Sequence, residues 1–199
     1  TLISNLRIMR RTLINQISKR CDKSKEIITG VVHALLSRSI FIKYLEERKD
    51  SNGETVFPQD FYCNFMESAK WYTDVLNSKE ATYNLFLTLK DKFNGDTLQV
   101  SEIETEIITQ DDLDELRTFI LGNSELESRQ LTLWPLYSFD IIPIQLISSI
   151  YELFFHLSDE EDEKGTYYTP LHLVNLVMDE VYPWEGEYKD ISFFDPSCG

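Results

Sequence analysis

Two short stretches near the end of this 199-residue chain hold the residue types and spacing that could do chemistry. The first is Gly165-Thr166-Tyr167-Tyr168-Thr169-Pro170, which opens an amphipathic segment. Thr169 before Pro170 is a strong helix start, because Thr accepts a bond from an unpaired backbone N–H and Pro fits the first helical turn. Leu173, Val174, Val177, Met178 and Val181 then follow at helical spacing. Tyr167, Tyr168 and Thr169 therefore stand at a helix N-terminus, where backbone N–H groups and the helix dipole favour an anion. About two dozen residues later, Ile191-Ser192-Phe193-Phe194 reads as a short strand that delivers Asp195 to the loop Pro196-Ser197-Cys198-Gly199. Open α/β sheets bind ligands at the carboxyl ends of their strands. One element favours a carboxylate and the other a cation.

S-adenosylmethionine offers both, a carboxylate beside an ammonium and a sulfonium. The stretch GTYYTPLHLVNLVMDEV resembles the motif that precedes the Rossmann-like domain in adenine-specific DNA methyltransferases of restriction–modification systems. FFDPSCG resembles the first cofactor motif of that family, and the two occur in the family's order. The resemblance implies that Asp195 contacts the methionine amino end. It also implies that Pro196, Ser197, Cys198 and Gly199 shape the loop beneath it, and that Tyr167, Tyr168, Thr169 and Pro170 close the other side. The direct resemblance covers Gly165 to Gly199 only. Leu35 to Arg48 looks like the helical region ahead of the methyltransferase in such enzymes, and Phe93-Asn94-Gly95-Asp96, Ile142-Pro143 and Ile150-Tyr151-Glu152 also fit that pattern. Each of these is equally compatible with ordinary helix packing. Tyr167 and Tyr168 taken alone would read as core aromatics. Ser197 and Cys198 have no His nearby in sequence to activate them as nucleophiles.

The family's second motif, Asn or Asp followed by Pro-Pro and an aromatic, holds the amino group of a flipped-out adenine. This sequence contains no Pro-Pro pair, so the pocket that reads an extruded base is not encoded in it. The expectation is a fragment: the N-terminal part of a methyltransferase, with no catalytic residues, weak or absent cofactor binding and no activity of its own. Double-stranded DNA would be met through the full-length enzyme, possible further partners being restriction or specificity subunits. Two other readings compete: a helical protein-interaction module, and a methyltransferase acting on protein or RNA.

Composition narrows the class. An apolar share of 42%, with 12 Phe and 10 Tyr, supports a packed core. The apolar runs are short and broken by charges, which predicts no membrane span. Arg7, Arg10 and Arg11 inside the first apolar pattern argue against a signal peptide. Cys21, Cys63 and Cys198 are odd in number and form no CxxC pair, which fits a reducing cytoplasm and neither a disulfide framework nor a zinc site. His33, His156 and His172 show no metal-ligand spacing, so no metal is expected. Net charge is −15, unevenly distributed. Residues 1–49 hold 11 basic and 4 acidic groups, whereas the remaining 150 hold 8 and 30. The basic N-terminal part can lie along phosphates or serve as a solvated helix face.

The periodicities predict a mainly α fold: a multi-helix N-terminal domain over 1–158, an acidic linker over 159–164, and over 165–199 the first helix and strand of a truncated Rossmann-like methyltransferase domain. Leu2, Leu6, Met9, Leu13 and Ile17 mark a first helix over 2–20. Asp22 and Ser24 can cap a second that carries Ile27, Ile28, Val31, Leu35, Phe41 and Leu45 and ends near Glu47 to Lys49. A helical segment starting at Pro58 and carrying Phe61, Phe65 and Trp71 is expected next. Asn77 to Glu80 then reads as a capping box for a helix with Tyr83, Phe86, Leu87 and Phe93, stopped by Asn94-Gly95. Residues 97–109 read as a short strand or extended arm. Thr109 to Asp112 cap a helix with Leu113, Leu116, Phe119 and Ile120 that ends at Gly122. Asp140 and Pro143 start a further helix with Ile144, Ile147, Ile150, Tyr151 and Phe154.

Overall fold

The computed structural model describes residues 2–93, 98–122, 139, 142, 150, 169 and 171–181. Among them are seven α-helices and no strand. The chain divides into two compact units, Thr1–Glu160 and Glu161–Gly199, and the division falls within the acidic run.

The first unit is built on a helical pair. α1 (Leu2–Arg20) buries Leu2, Leu6, Met9, Leu13 and Ile17, the spacing read from the sequence, together with Ile14. Cys21 to Ser24 turn the chain into α2 (Lys25–Glu47), which packs on α1. The Ser24 hydroxyl caps α2 by accepting from the Ile27 N–H at 3.4 Å, satisfying one of the helix's unpaired donors. Ile27 itself is exposed, and the inward set of α2 is Ile28, Val31, Val32, Leu35, Leu36, Ile40 and Ile42.

This inward set makes α2 long and apolar enough, by length and composition, to cross a membrane, contrary to the expectation from the interrupted apolar runs. Its apolar character is that of a core helix: 67% of its most apolar stretch is buried within the protein. The helix also carries Arg38 at its centre, fully buried and paired.

The expected helix from Pro58 is not continuous. A 3-10 turn covers Phe61–Asn64, and a single helical turn, α3 (Tyr72–Val75), follows. Aromatic packing replaces the regular helix. Phe57 and Phe61 stack with ring centroids 4.6 Å apart, and Tyr62 and Phe65 meet Phe61 edge-on. The Asp74 carboxylate draws the chain into α3 by accepting from the Lys70 and Trp71 N–H groups at 2.9 and 3.0 Å.

α4 (Lys79–Phe93) begins where the Ser78 hydroxyl accepts from the Ala81 N–H. It buries Tyr83 and Phe86 and leaves Leu87 exposed. The stop signal Asn94-Gly95 lies outside the described residues.

The stretch read as a strand or extended arm contains a helix instead: α5 covers Glu102–Ile107. Ser101 caps it by accepting from the Glu104 N–H at 3.1 Å, and two acids occupy its first turn, where the helix dipole favours them. β-branched content was the wrong guide here, because a cap and a buried ion pair decide the local structure.

α6 (Gln110–Leu121) matches its prediction at both ends. Asp112 accepts from the Thr109 N–H at 2.8 Å and from its hydroxyl at 3.0 Å. Gly122 closes the helix at φ 60°, the left-handed conformation in which a Cβ is costly. Arg117 Nε donates to the Thr73 carbonyl and Gln110 Nε2 to the Leu76 carbonyl, fixing α6 against α3 and its C-terminal end. Of the helix expected after Asp140, Ile150 is described and buried, and the rest of its predicted inward set lies outside the described residues.

The second unit contributes α7 (Leu171–Val181), the helix expected after Thr169-Pro170. The strand expected at 191–194, and with it the Rossmann-like part of the fold, lies outside the described residues.

Candidate functional site

Of the residues expected to hold the cofactor, Thr169 is described. It is exposed and stands two positions before the first residue of α7, where a helix presents unpaired N–H groups. Tyr167, Tyr168, Pro170, Asp195, Pro196, Ser197, Cys198 and Gly199 lie outside the described residues. α7 is apolar along one side. Leu173 and Val174 are 44% and 39% exposed, Leu176 and Val177 are 59% and 58% exposed, and Val181 is 74% exposed.

The first unit contains a polar cluster inside its core. Ser37, Arg38 and Ser39 interrupt the apolar run of α2 and are all buried. Arg38 donates to Glu104 through Nη1 at 2.6 Å and Nη2 at 3.2 Å, a two-pronged pair joining α2 to α5. Its Nη2 also donates to the Gln99 carbonyl, and its guanidinium lies 4.6 Å from the centre of the Phe86 ring. The Tyr83 hydroxyl donates to Glu104 at 3.4 Å, and the Ser39 and Tyr72 hydroxyls are 2.8 Å apart. Burial pushes the Tyr72 phenol up. Burial and then the Glu104 charge do the same for Tyr83. Both phenols stay protonated, and the Glu104 charge is already matched by Arg38. The cluster is thus a clamp between helices and has no group poised for proton transfer.

A second group of charges closes the far end of α2. Lys43 pairs with Glu46, and with Glu47 at 2.8 Å. Burial alone would lower the Lys43 ammonium, but Glu46 and Glu47 outweigh it and hold the group above its ordinary value. Glu46 accepts from the Tyr72 N–H at 2.5 Å, and Glu47 from the Phe139 N–H at 2.8 Å. The segment Leu35 to Arg48 thus has a packing role that its sequence hinted at only through polar residues placed inside an apolar helix.

His33, half-buried on α2, accepts from Arg10 Nε at 2.6 Å. Burial, and then the Arg10 charge, push its imidazole down to about 4, so it is neutral at pH 7. Cys21 and Cys63 are free thiols. Among the described residues no three His, Cys, Asp or Glu side chains gather as a metal site. A groove of about 340 Å³ runs between α2 and the segment entering α5, walled mainly by Ile27, Val31, Ala34, Val100 and Ile103. It is open and apolar, with no convergent set of reactive groups.

No protein-family model matches the chain, nor does any curated protein or solved structure.

Proposed function

We propose that this chain is the N-terminal part of a cytoplasmic DNA adenine methyltransferase of a restriction–modification system, which transfers the methyl group of S-adenosylmethionine to the adenine amino group. The observation that carries the reading is the ordered pair of motifs, GTYYTP leading into a helix and FFDPSCG about two dozen residues later. α7 begins where the first motif requires a helix, with Thr169 exposed before it. In this reading Tyr167, Tyr168, Thr169 and Pro170 close one side of the cofactor, Asp195 takes its amino end, and Pro196 to Gly199 form the loop beneath. The helices of the first unit organise the enzyme.

The test has two parts. The reading frame beyond the codon for Gly199 should continue with Ser-Gly and reach an Asn-Pro-Pro-aromatic motif within about a hundred residues, the length of a Rossmann-type core. The whole enzyme should then transfer a tritiated methyl group from S-adenosylmethionine to unmodified DNA, and Asp195→Ala should cut that transfer at least about a hundredfold, as loss of a cofactor-orienting group does. A frame without those motifs, or an Asp195→Ala enzyme of full activity, would sink the reading. One observation favours a second reading, a helical protein-interaction module: the apolar side of α7 is exposed. Under it, Asp195→Ala leaves S-adenosylmethionine binding unchanged.

A further inference from the structure

We propose that the outward face of α1 is a phosphate-binding stripe that lies along the backbone of duplex DNA. The choice of DNA as the polyanion rests on the functional reading above; the surface itself stands on burial and charge.

α1 contains five basic residues and no acid. Its inward side is committed to the core through Leu6, Met9, Leu13 and Ile17. Two of its cations also face protein partners: Arg10 donates to His33, and Arg20 pairs with Asp112. The others do not. Arg7, Arg11, Asn15 and Lys19 recur at every fourth position, so they form one row along the helix, and all four are exposed. Ser18 is exposed beside them. Among the described residues neither Arg7, Arg11 nor Lys19 has an acidic partner. At 1.5 Å per residue the row from Arg7 to Lys19 is about 18 Å long, enough to follow several phosphates of one strand.

The chemistry of the row selects its partner. It contains no apolar side chain, whereas a protein interface needs an apolar centre. A helix lying on a membrane needs its apolar side free, and that side of α1 is buried in the core. Arginine forks suit phosphate oxygens, and Asn and Ser side chains are common donors to the same atoms. α1 carries no acidic side chain that would oppose a polyanion along this row. Contacts of this kind position a duplex without reading its sequence.

The test is fluorescence anisotropy of a labelled duplex of arbitrary sequence, titrated with the 199-residue chain between about 20 and 150 mM salt. The double variant Arg7→Gln/Arg11→Gln should bind about tenfold more weakly, and its plot of log affinity against log salt should flatten by about 1.8. Arg7→Lys/Arg11→Lys should keep the slope, and both variants should melt as the parent does. An unchanged slope in the glutamine variant overturns the proposal, as does absence of duplex binding at the lowest salt. Displacement by polyglutamate as effective as by DNA also overturns it, and assigns the face to an acidic protein. In the whole enzyme the two ideas separate. Methyl transfer with no effect of the glutamine pair on the salt slope removes the stripe alone. A stripe-dependent slope with no methyl transfer removes the methyltransferase reading alone.

Discussion

α1 and α7 both place an apolar residue every three or four positions, yet Leu6, Leu13 and Ile17 are fully buried while Val177 and Val181 are 58% and 74% exposed. Periodicity specifies that a segment becomes a helix and which side is apolar; it does not specify what covers that side. α1 is held by α2 and α6, with Arg20 pairing to Asp112 and donating to the Ile107 carbonyl at 3.2 Å. α7 is 11 residues long, too short to be stable in water on intrinsic propensity, so its helix needs a cover for Leu173, Val177 and Val181.

The contrast between a satisfied interior and an uncovered helix can be broken at several points. The largest effect should come from the clamp at the centre of the first unit. Glu104→Ala leaves the Arg38 guanidinium charged and unpaired where it is fully buried, which should cost about 3–5 kcal/mol. Urea unfolding of the chain measures it. Replacing both partners, Arg38→Met with Glu104→Leu, should recover most of that loss. A cost below about 1 kcal/mol for the single variant would mean that water reaches the pair.

Next in size is a matched pair of truncations. Leu13→Ala in α1 should cost about 2–5 kcal/mol, while Val177→Ala in α7 should stay within about 0.5 kcal/mol. Equal costs would show that α7 is covered in solution and would remove the contrast.

The smallest effect concerns His33. Its folded-state value of about 4 lies below the ordinary 6.5, so between those limits the unfolded chain binds more protons. This contribution to stability is therefore present above about pH 6.5 and is lost as the pH falls toward 4. His33→Gln keeps an oxygen for Arg10 and does not titrate. Its unfolding free energy in urea should fall less than the parent's across that window, by an amount on the order of 1 kcal/mol once partial solvent contact is allowed for. Parallel pH profiles would place His33 in water.

Most helices of the first unit were legible because their signals are local. Ser24, Ser78, Thr109 and Gly122 mark ends, and the spacing of Leu6, Leu13 and Leu116 marks inward faces. α5 was missed although Ser101 and Glu104 have the spacing of a helix cap; its other cause is not local, since Glu104 is drawn inward by Arg38, 66 positions earlier in the chain. The segment after Pro58 failed for a related reason, since the stacking of Phe57 on Phe61 and the reach of Asp74 to Lys70 and Trp71 are tertiary choices that helical spacing does not reveal. The cofactor motifs could be read as types and order. The site they would make depends on how Asp195 and Tyr167 approach each other, which no pattern within either motif specifies.

The distance along the chain between Arg38 and Glu104 also sets an order of events during synthesis. α1 and α2 leave the ribosome early and can pair at once through Leu6, Leu13, Val32 and Leu35. Arg38 lies on the side of α2 that Phe86, Gln99 and Glu104 later cover, so its guanidinium has no ion partner until Glu104 is made. At about 5–20 residues per second that interval lasts roughly 3–13 s. The side of α2 that carries Arg38 has to wait for that time, and the arrival of Glu104 lets it be covered without leaving a bare charge.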